Sequence, residues 1–113
     1  MNLLTNTFLE DNYSKIKETK ISGRWITLKD IEPLFTDLHS SIKFNIAGKS
    51  EEGRDIYKLK FGSGKRKILI WSQMHGNEST GTKAVFDFLN FIKLYPDSEI
   101  VKSVLDNCQL IIV

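Results

Sequence analysis

The 113-residue sequence lacks the features that mark secreted, membrane-spanning or nucleic-acid-binding proteins. Its single cysteine excludes an internal disulfide, and no apolar run approaches the ~20 residues that a membrane-spanning helix needs. Sixteen Lys and Arg residues stand against fourteen Asp and Glu residues, and a net charge of +2 is too small to indicate nucleic-acid binding. The N-terminal residues show no basic start followed by a long apolar core. We therefore expect a cytoplasmic protein without nucleic-acid or membrane partners.

Internal repeats and low-complexity tracts are also missing, which favours an ordinary globular domain. Hydrophobic residues make up 41% of the chain and charged residues 27%, a balance typical of folded rather than disordered segments. The length fits one domain, and we interpret residues 1–113 as one unit in which residues 1–24 form an N-terminal extension. Cys108 lies among apolar neighbours, so we expect a buried thiol without a chemical role.

The first part of the chain carries helical signals. An irregular apolar stripe over residues 6–17 predicts a helix. Thr27 is typical of a helix N-cap, and Asp30 stands where it can complete a capping box. Pro33 lies inside the segment that follows, so we expect a kink or a late helix start there.

Four later segments have the composition of β-strands, namely residues 43–47, 55–61, 67–72 and 108–113. The first two alternate and flank a glycine-containing turn, which predicts an antiparallel hairpin. The last two are continuous apolar runs, typical of strands that are covered on both faces. Helical spacing over residues 83–94 and 98–107 lies between them. This order predicts an α/β fold, a three-layer sandwich with a mixed sheet whose last two strands run parallel through a right-handed helical crossover.

The polar segment after the third strand, SQMHGNESTGT, holds the residues with the most chemistry. His75 offers a neutral nitrogen and Glu78 an anionic oxygen, and catalytic zinc sites take three such protein ligands and keep one position for water. A loop that follows a rigid strand can fix two ligands before the metal binds. Two residues at fixed spacing are a weak signal, however, so a zinc-ligand pair and an ordinary polar loop both fit the pattern.

The stretch GKSEEGRDIYKLKFGSGKRKILIWSQMHGNESTGTKAVFDFL resembles the opening half of the zinc carboxypeptidases related to carboxypeptidase A. That family shows a G-x-S-x-E-G-R-x-I hairpin turn, then a strand, an H-x-x-E pair and a helix. The matching residues are Gly48, Ser50, Glu52, Gly53, Arg54 and Ile56, followed by His75 and Glu78. The resemblance extends from about Trp25 to Val113. It implies the zinc carboxypeptidase fold, with Zn²⁺ as the cofactor and His75 and Glu78 as two of its ligands.

One position departs from the pancreatic-type members, which have an arginine just before the glutamate, where it helps to hold the substrate. This chain has Asn77 there, and an asparagine can form hydrogen bonds but brings no charge to a carboxylate. We therefore treat Asn77 as a candidate substrate-binding residue that acts differently. The HGNE spelling is frequent in bacterial and cytosolic branches, and in the aspartoacylase and succinylglutamate desuccinylase group.

The resemblance places the third zinc ligand, the general base and the carboxylate-binding groups after the strand that ends at Val113. We therefore expect residues 1–113 to be the N-terminal part of a catalytic domain. This part should be inactive alone and should contain no catalytic residue. His39 is not expected to bind metal. We also expect the C-terminal strand to form an exposed apolar edge and to mediate self-association.

The implied activity is hydrolysis of an amide bond in a peptide, with release of a C-terminal amino acid. A zinc deacylase that acts on an N-acyl amino acid, and a module without catalysis, remain as alternatives. The hairpin motif favours the carboxypeptidase branch. Arg54 is expected to hold the hairpin loop, with a role near the substrate as the alternative. Trp25, Trp71 and Tyr57 are expected to pack rather than to form a binding surface.

Overall fold

A computed structural model describes residues 5–113. Residues 1–4, which belong to the N-terminal stretch without a signal-peptide pattern, lie outside the described residues. In chain order the elements are α1 (Asn6–Ile16), α2 (Leu28–Ile31), a 3₁₀ helix (Glu32–Asp37), β1 (Lys43–Lys49), β2 (Asp55–Phe61), β3 (Arg66–Ile70), α3 (Thr80–Leu94), α4 (Glu99–Asn107) and β4 (Cys108–Ile112). Each helix and strand predicted from the sequence is present. Their bounds differ from the predicted ones by a few residues at most.

The four strands form one mixed sheet in the order β1-β2-β4-β3. The hairpin pairs β1 with β2 antiparallel, β2 pairs antiparallel with β4, and β4 runs parallel to β3. Helices α3 and α4 make the connection from β3 to β4. The predicted α/β class, the mixed sheet and the parallel pairing of the last two strands are confirmed.

The predicted place of the C-terminal strand at an exposed edge is wrong. β4 lies between β2 and β3, with Ile112 opposite both Leu59 and Ile70. Leu110, Ile112 and the free thiol of Cys108 are buried, so the predicted burial of Cys108 is confirmed. Within the described sheet, β1 and β3 form the edges instead. The reason is that the crossover returns the chain to the gap beside the hairpin, where β4 satisfies backbone groups on both sides.

A single apolar core lies between the helices and one face of the sheet. Most of its buried side chains come from the helices and the two central strands, including Ile16, Leu34, Phe86, Leu89, Ile92, Val101, Leu59, Phe61 and Leu110. On the opposite face Leu69 is 61% exposed. The described residues therefore supply the sheet and one helical layer. Within them, no helix combines the length and the apolarity that crossing a membrane requires.

The capping signal at Thr27 is confirmed. The backbone N–H and the hydroxyl of Thr27 both donate to Asp30 Oδ2, at 2.7 and 2.9 Å. Pro33 stands at the start of the 3₁₀ helix, since α2 ends at Ile31. A proline lacks the N–H that a continuing α-helix would use, so the helix tightens into a 3₁₀ turn at this point.

Candidate metal-binding loop

The loop of residues 71–79 carries the predicted zinc ligands and is here called the metal-binding loop for that reason. It leaves the sheet at the carboxyl end of β3. Pairing with the neighbouring strand continues past the strand bounds, because Val113 N–H donates to Ile70 O at 2.9 Å and Ser72 N–H donates to Val113 O at 2.8 Å. Gln73 then adopts a φ of 50°, which turns the chain away from the sheet. The loop ends where α3 begins at Thr80.

His75 and Glu78 lie on the same side of this loop. Both are exposed, and both line one open cleft of about 540 Å³ together with Asn77. The backbone closes a turn between them, with Glu78 N–H donating to His75 O at 3.0 Å. No hydrogen bond to another described residue occupies the His75 ring or the Glu78 carboxylate. The structure therefore brings the two predicted ligands to one space with their donor atoms available.

The donor set fits two positions of a zinc site. An imidazole nitrogen and a carboxylate oxygen are both standard zinc ligands. Among residues 5–113, no third His, Cys, Asp or Glu joins this pair in a metal-binding group. His39 lies before β1, where its Nδ1 is 2.8 Å from Ser41 Oγ, and it does not line the cleft.

Arg24 also lines the cleft, and sequence reasoning missed it. Its Nε donates to Asn77 O at 3.2 Å, and its guanidinium carbon lies 5.7 Å from the centre of the Trp25 ring. A positive charge therefore stands beside the position where Asn77 replaces the arginine of pancreatic-type members. Nothing in the local sequence could reveal this, because 53 positions separate the two residues.

Residues 23–26 run against the metal-binding loop and the start of α3. Ser79 Oγ and Lys83 Nζ both donate to Gly23 O, at 3.1 and 3.0 Å. Gln73 Nε2 donates to Ile26 O at 2.8 Å. With the Arg24 contact, this short stretch holds the loop at several separate points.

The expectation that both tryptophans are packing residues is wrong for the described structure. Trp25 is 71% exposed and Trp71 is 58% exposed, and Trp71 lines the cleft. Trp71 follows the last residue of β3, where the chain leaves the sheet, so no described layer covers its ring. Tyr57 behaves as expected, since its ring packs 4.9 Å from that of Phe35 and its hydroxyl donates to Glu32 at 2.9 Å.

Arg54 holds the hairpin loop as expected. Its guanidinium pairs with Glu52, and its backbone N–H donates to Ser50 Oγ at 3.1 Å. Its side chain also borders a second cleft, on the side of the metal-binding loop that includes Gln73 and Gly76. These contacts support a structural role for Arg54.

Comparison with known proteins identifies the family. Residues 27–113 match the family model described as zinc carboxypeptidase. The chain belongs to the zinc carboxypeptidase family. Among solved structures, a Shewanella denitrificans protein described as a "putative carboxypeptidase A" has the same fold, with a TM-score of 0.69 and 24% identity. The match covers 79% of this chain and 25% of that protein, so this zinc carboxypeptidase chain spans about a quarter of the other's length. No curated protein matches it.

Family membership confirms the resemblance seen in the sequence and implies Zn²⁺ as the cofactor. The likeness to the Shewanella protein supports the fold assignment. Residues 23–26, which contact the metal-binding loop, lie just before the matched region.

Proposed function

We propose that His75 and Glu78 are two zinc ligands of a metallocarboxypeptidase that hydrolyses an amide bond and releases a C-terminal amino acid from a peptide. One observation carries the proposal. In a chain of the zinc carboxypeptidase family, the H-x-x-E pair lines a single cleft where a strand passes into a helix. The exposed imidazole and carboxylate have no competing partner among the described residues.

When bound, zinc would polarise the substrate carbonyl and lower the pKa of a water molecule. The hydrogen bond from Glu78 N–H to His75 O keeps the backbones of the two proposed ligands in one turn, which limits the reorganisation needed on binding. Arg24 and Asn77 present hydrogen-bond donors to the same cleft, and the guanidinium adds a charge that suits a carboxylate. We assign no general base among residues 5–113.

A zinc deacylase would share the metal chemistry but would act on a small N-acyl amino acid. The family match over residues 27–113 supports the carboxypeptidase branch instead. No observation specifically favours the deacylase or a module without catalysis, so a peptide is the substrate class that we propose.

Metal binding can be tested without turnover, by titrating the ¹⁵N-labelled chain with Zn²⁺ and following its amide resonances. We expect shifts confined to the metal-binding loop and reversed by a chelator. His75→Ala and Glu78→Ala should each weaken binding at least about tenfold, since each removes a ligand of the metal. His39→Ala is the matched control and should bind as the unchanged protein does. Equal affinity in His75→Ala and His39→Ala would show that the ligand assignment is wrong.

A further inference from the structure

We propose that Gln73 is a positioning residue, whose side-chain amide holds the metal-binding loop in one conformation before a metal ion binds. The inference rests on the proposed function, because the loop matters as the carrier of His75 and Glu78. Gln73 itself lies beside the ligands and is not one of them.

The backbone of Gln73 is the first observation. Among residues 5–113 it is the only non-glycine residue with a positive φ. Glycine adopts this left-handed conformation without a steric penalty, whereas residues with a Cβ adopt it rarely. Such strain persists where the surroundings over-determine the conformation, and it concentrates at functional sites. The chain thus keeps a strained glutamine where a glycine would fit without strain, which points to a role for the side chain.

Both N–H donors and the oxygen of the Gln73 side-chain amide are hydrogen-bonded. Nε2 donates to Ile26 O at 2.8 Å and to Gly76 O at 3.0 Å, while Oε1 accepts from Thr82 Oγ1 at 2.7 Å. Carbonyl oxygens can only accept, so they fix which end of the amide faces them. Flipping the amide would place its oxygen against two carbonyl oxygens.

These bonds join the middle of the loop to the core. Gly76 lies between the two proposed ligands, whereas Ile26 and Thr82 are both buried. Thr82 belongs to the first turn of α3, and Ile26 belongs to the stretch that runs against the loop. The amide therefore fixes the backbone between His75 and Glu78 relative to two anchored points.

The test compares Gln73→Ala and Gln73→Glu with the unchanged 113-residue protein. Gln73→Glu keeps the volume but replaces both N–H donors with an acceptor, so a role through hydrogen bonds predicts similar effects in both variants. Without metal, we expect amide exchange of residues 74–78 to rise about tenfold, as in local opening. With Zn²⁺, we expect affinity to fall about 10- to 100-fold, as on loss of an outer-shell partner.

Ser98→Ala is the matched control. It removes the N-cap bond to Val101 N–H in α4, which destabilises the fold without touching the loop. Its loop exchange and zinc affinity should match those of the unchanged protein. If Gln73 contributes only to global stability, the Gln73 variants and Ser98→Ala will show the same loop exchange and the same zinc affinity. That result would overturn the proposal.

The remaining outcomes also decide the question. Unchanged loop exchange in Gln73→Glu would show that the residue acts only by filling space. If Gln73→Ala does not fold, Thr82→Val, which removes only the donor to Gln73 Oε1, gives a milder version of the same comparison. If the unchanged protein binds no zinc, the proposed function fails, while exchange in the metal-free loop still decides whether Gln73 positions it.

Discussion

Arg24 shows how a single residue can supply what the local motif lacks. The motif position next to the glutamate holds uncharged Asn77, yet the Arg24 guanidinium reaches the same cleft and is fixed through Nε. Its terminal amino groups make no hydrogen bond to a described residue. Under the proposed function, these groups would pair with an anionic substrate end.

We predict that Arg24→Ala weakens binding of N-acetylphenylalanine, a model for a peptide C-terminus, to the zinc-loaded protein. Exposed charge pairs contribute up to about 1 kcal/mol, so the loss should be about fivefold or less. Arg24→Lys should recover only part of it, because an ammonium lacks the planar donor pair. The measurement is an NMR titration, with the exposed Arg66→Ala as the control. An equal effect of Arg24→Ala and Arg66→Ala would contradict the prediction.

At the scale of elements, the turn from β2 to β3 fits closely against the junction of α4 and β4. Ser63 N–H donates to Leu105 O at 2.8 Å, and Gly64 N–H donates to Cys108 O at 3.1 Å. A Cβ on Gly64 would lie 1.8 Å from the carbonyl carbon of Asn107. Two crossing backbones therefore leave no room for a side chain, and a backbone cannot move aside as a flexible side chain can.

We predict that Gly64→Ala lowers the free energy of unfolding by about 3 kcal/mol or more, at the upper end of overpacking effects. Gly48→Ala is the matched control, since a Cβ there meets nothing within 4 Å. It should leave stability unchanged or raise it by about 0.5–1 kcal/mol. Urea unfolding measures both. Equal urea midpoints for Gly64→Ala and Gly48→Ala would mean that the turn can move away from Asn107 without a loss of stability.

The capping box of α2 gives a pH prediction. Hydrogen bonds from the backbone and the hydroxyl of Thr27 hold the pKa of Asp30 below its ordinary value of 3.8. Because the folded-state pKa is lowered, the stabilising effect is present above the unfolded pKa and is lost as the pH falls through the folded one. The Thr27 amide resonance should therefore titrate with a midpoint below 3.8. A midpoint at or above that value would show that the box is absent in solution.

At the scale of the whole molecule, the described cleft holds the two proposed zinc ligands and no assigned base. We predict that the 113-residue chain releases no amino acid from peptides, even with added Zn²⁺. Losing a single outer-shell partner already lowers metal affinity or activity about 10- to 100-fold. Chelator-sensitive hydrolysis of a peptide with a free C-terminus, but not of a blocked one, would show that the catalytic residues lie within this chain.

Self-association remains a prediction, but the expected surface has changed. β4 is paired on both sides, whereas β3 is an edge strand with Leu69 exposed on its open face. Apolar strand edges pair readily with other chains. We expect oligomers at high micromolar concentration by light scattering, which Leu69→Lys should reduce. A monomer under these conditions would contradict the prediction.

The sequence by itself determined the local elements and the chemistry of the loop. Strand and helix positions follow from apolar periodicity, and the Thr27–Asp30 box involves residues only three positions apart. The same holds for His75 and Glu78, because three positions within one strand-to-helix loop suffice to place both side chains in one cleft. Local spacing carries this information because few bonds separate the groups that interact.

Only the tertiary structure decided which distant segments meet. It inserted β4 between β2 and β3, left Trp25 and Trp71 exposed, and brought Arg24 to Asn77. It also brought Gln73 to Ile26, 47 positions earlier in the chain. Such contacts depend on how the helices and the sheet pack together, and the apolar pattern that drives packing specifies which faces are buried but not which polar groups end up side by side.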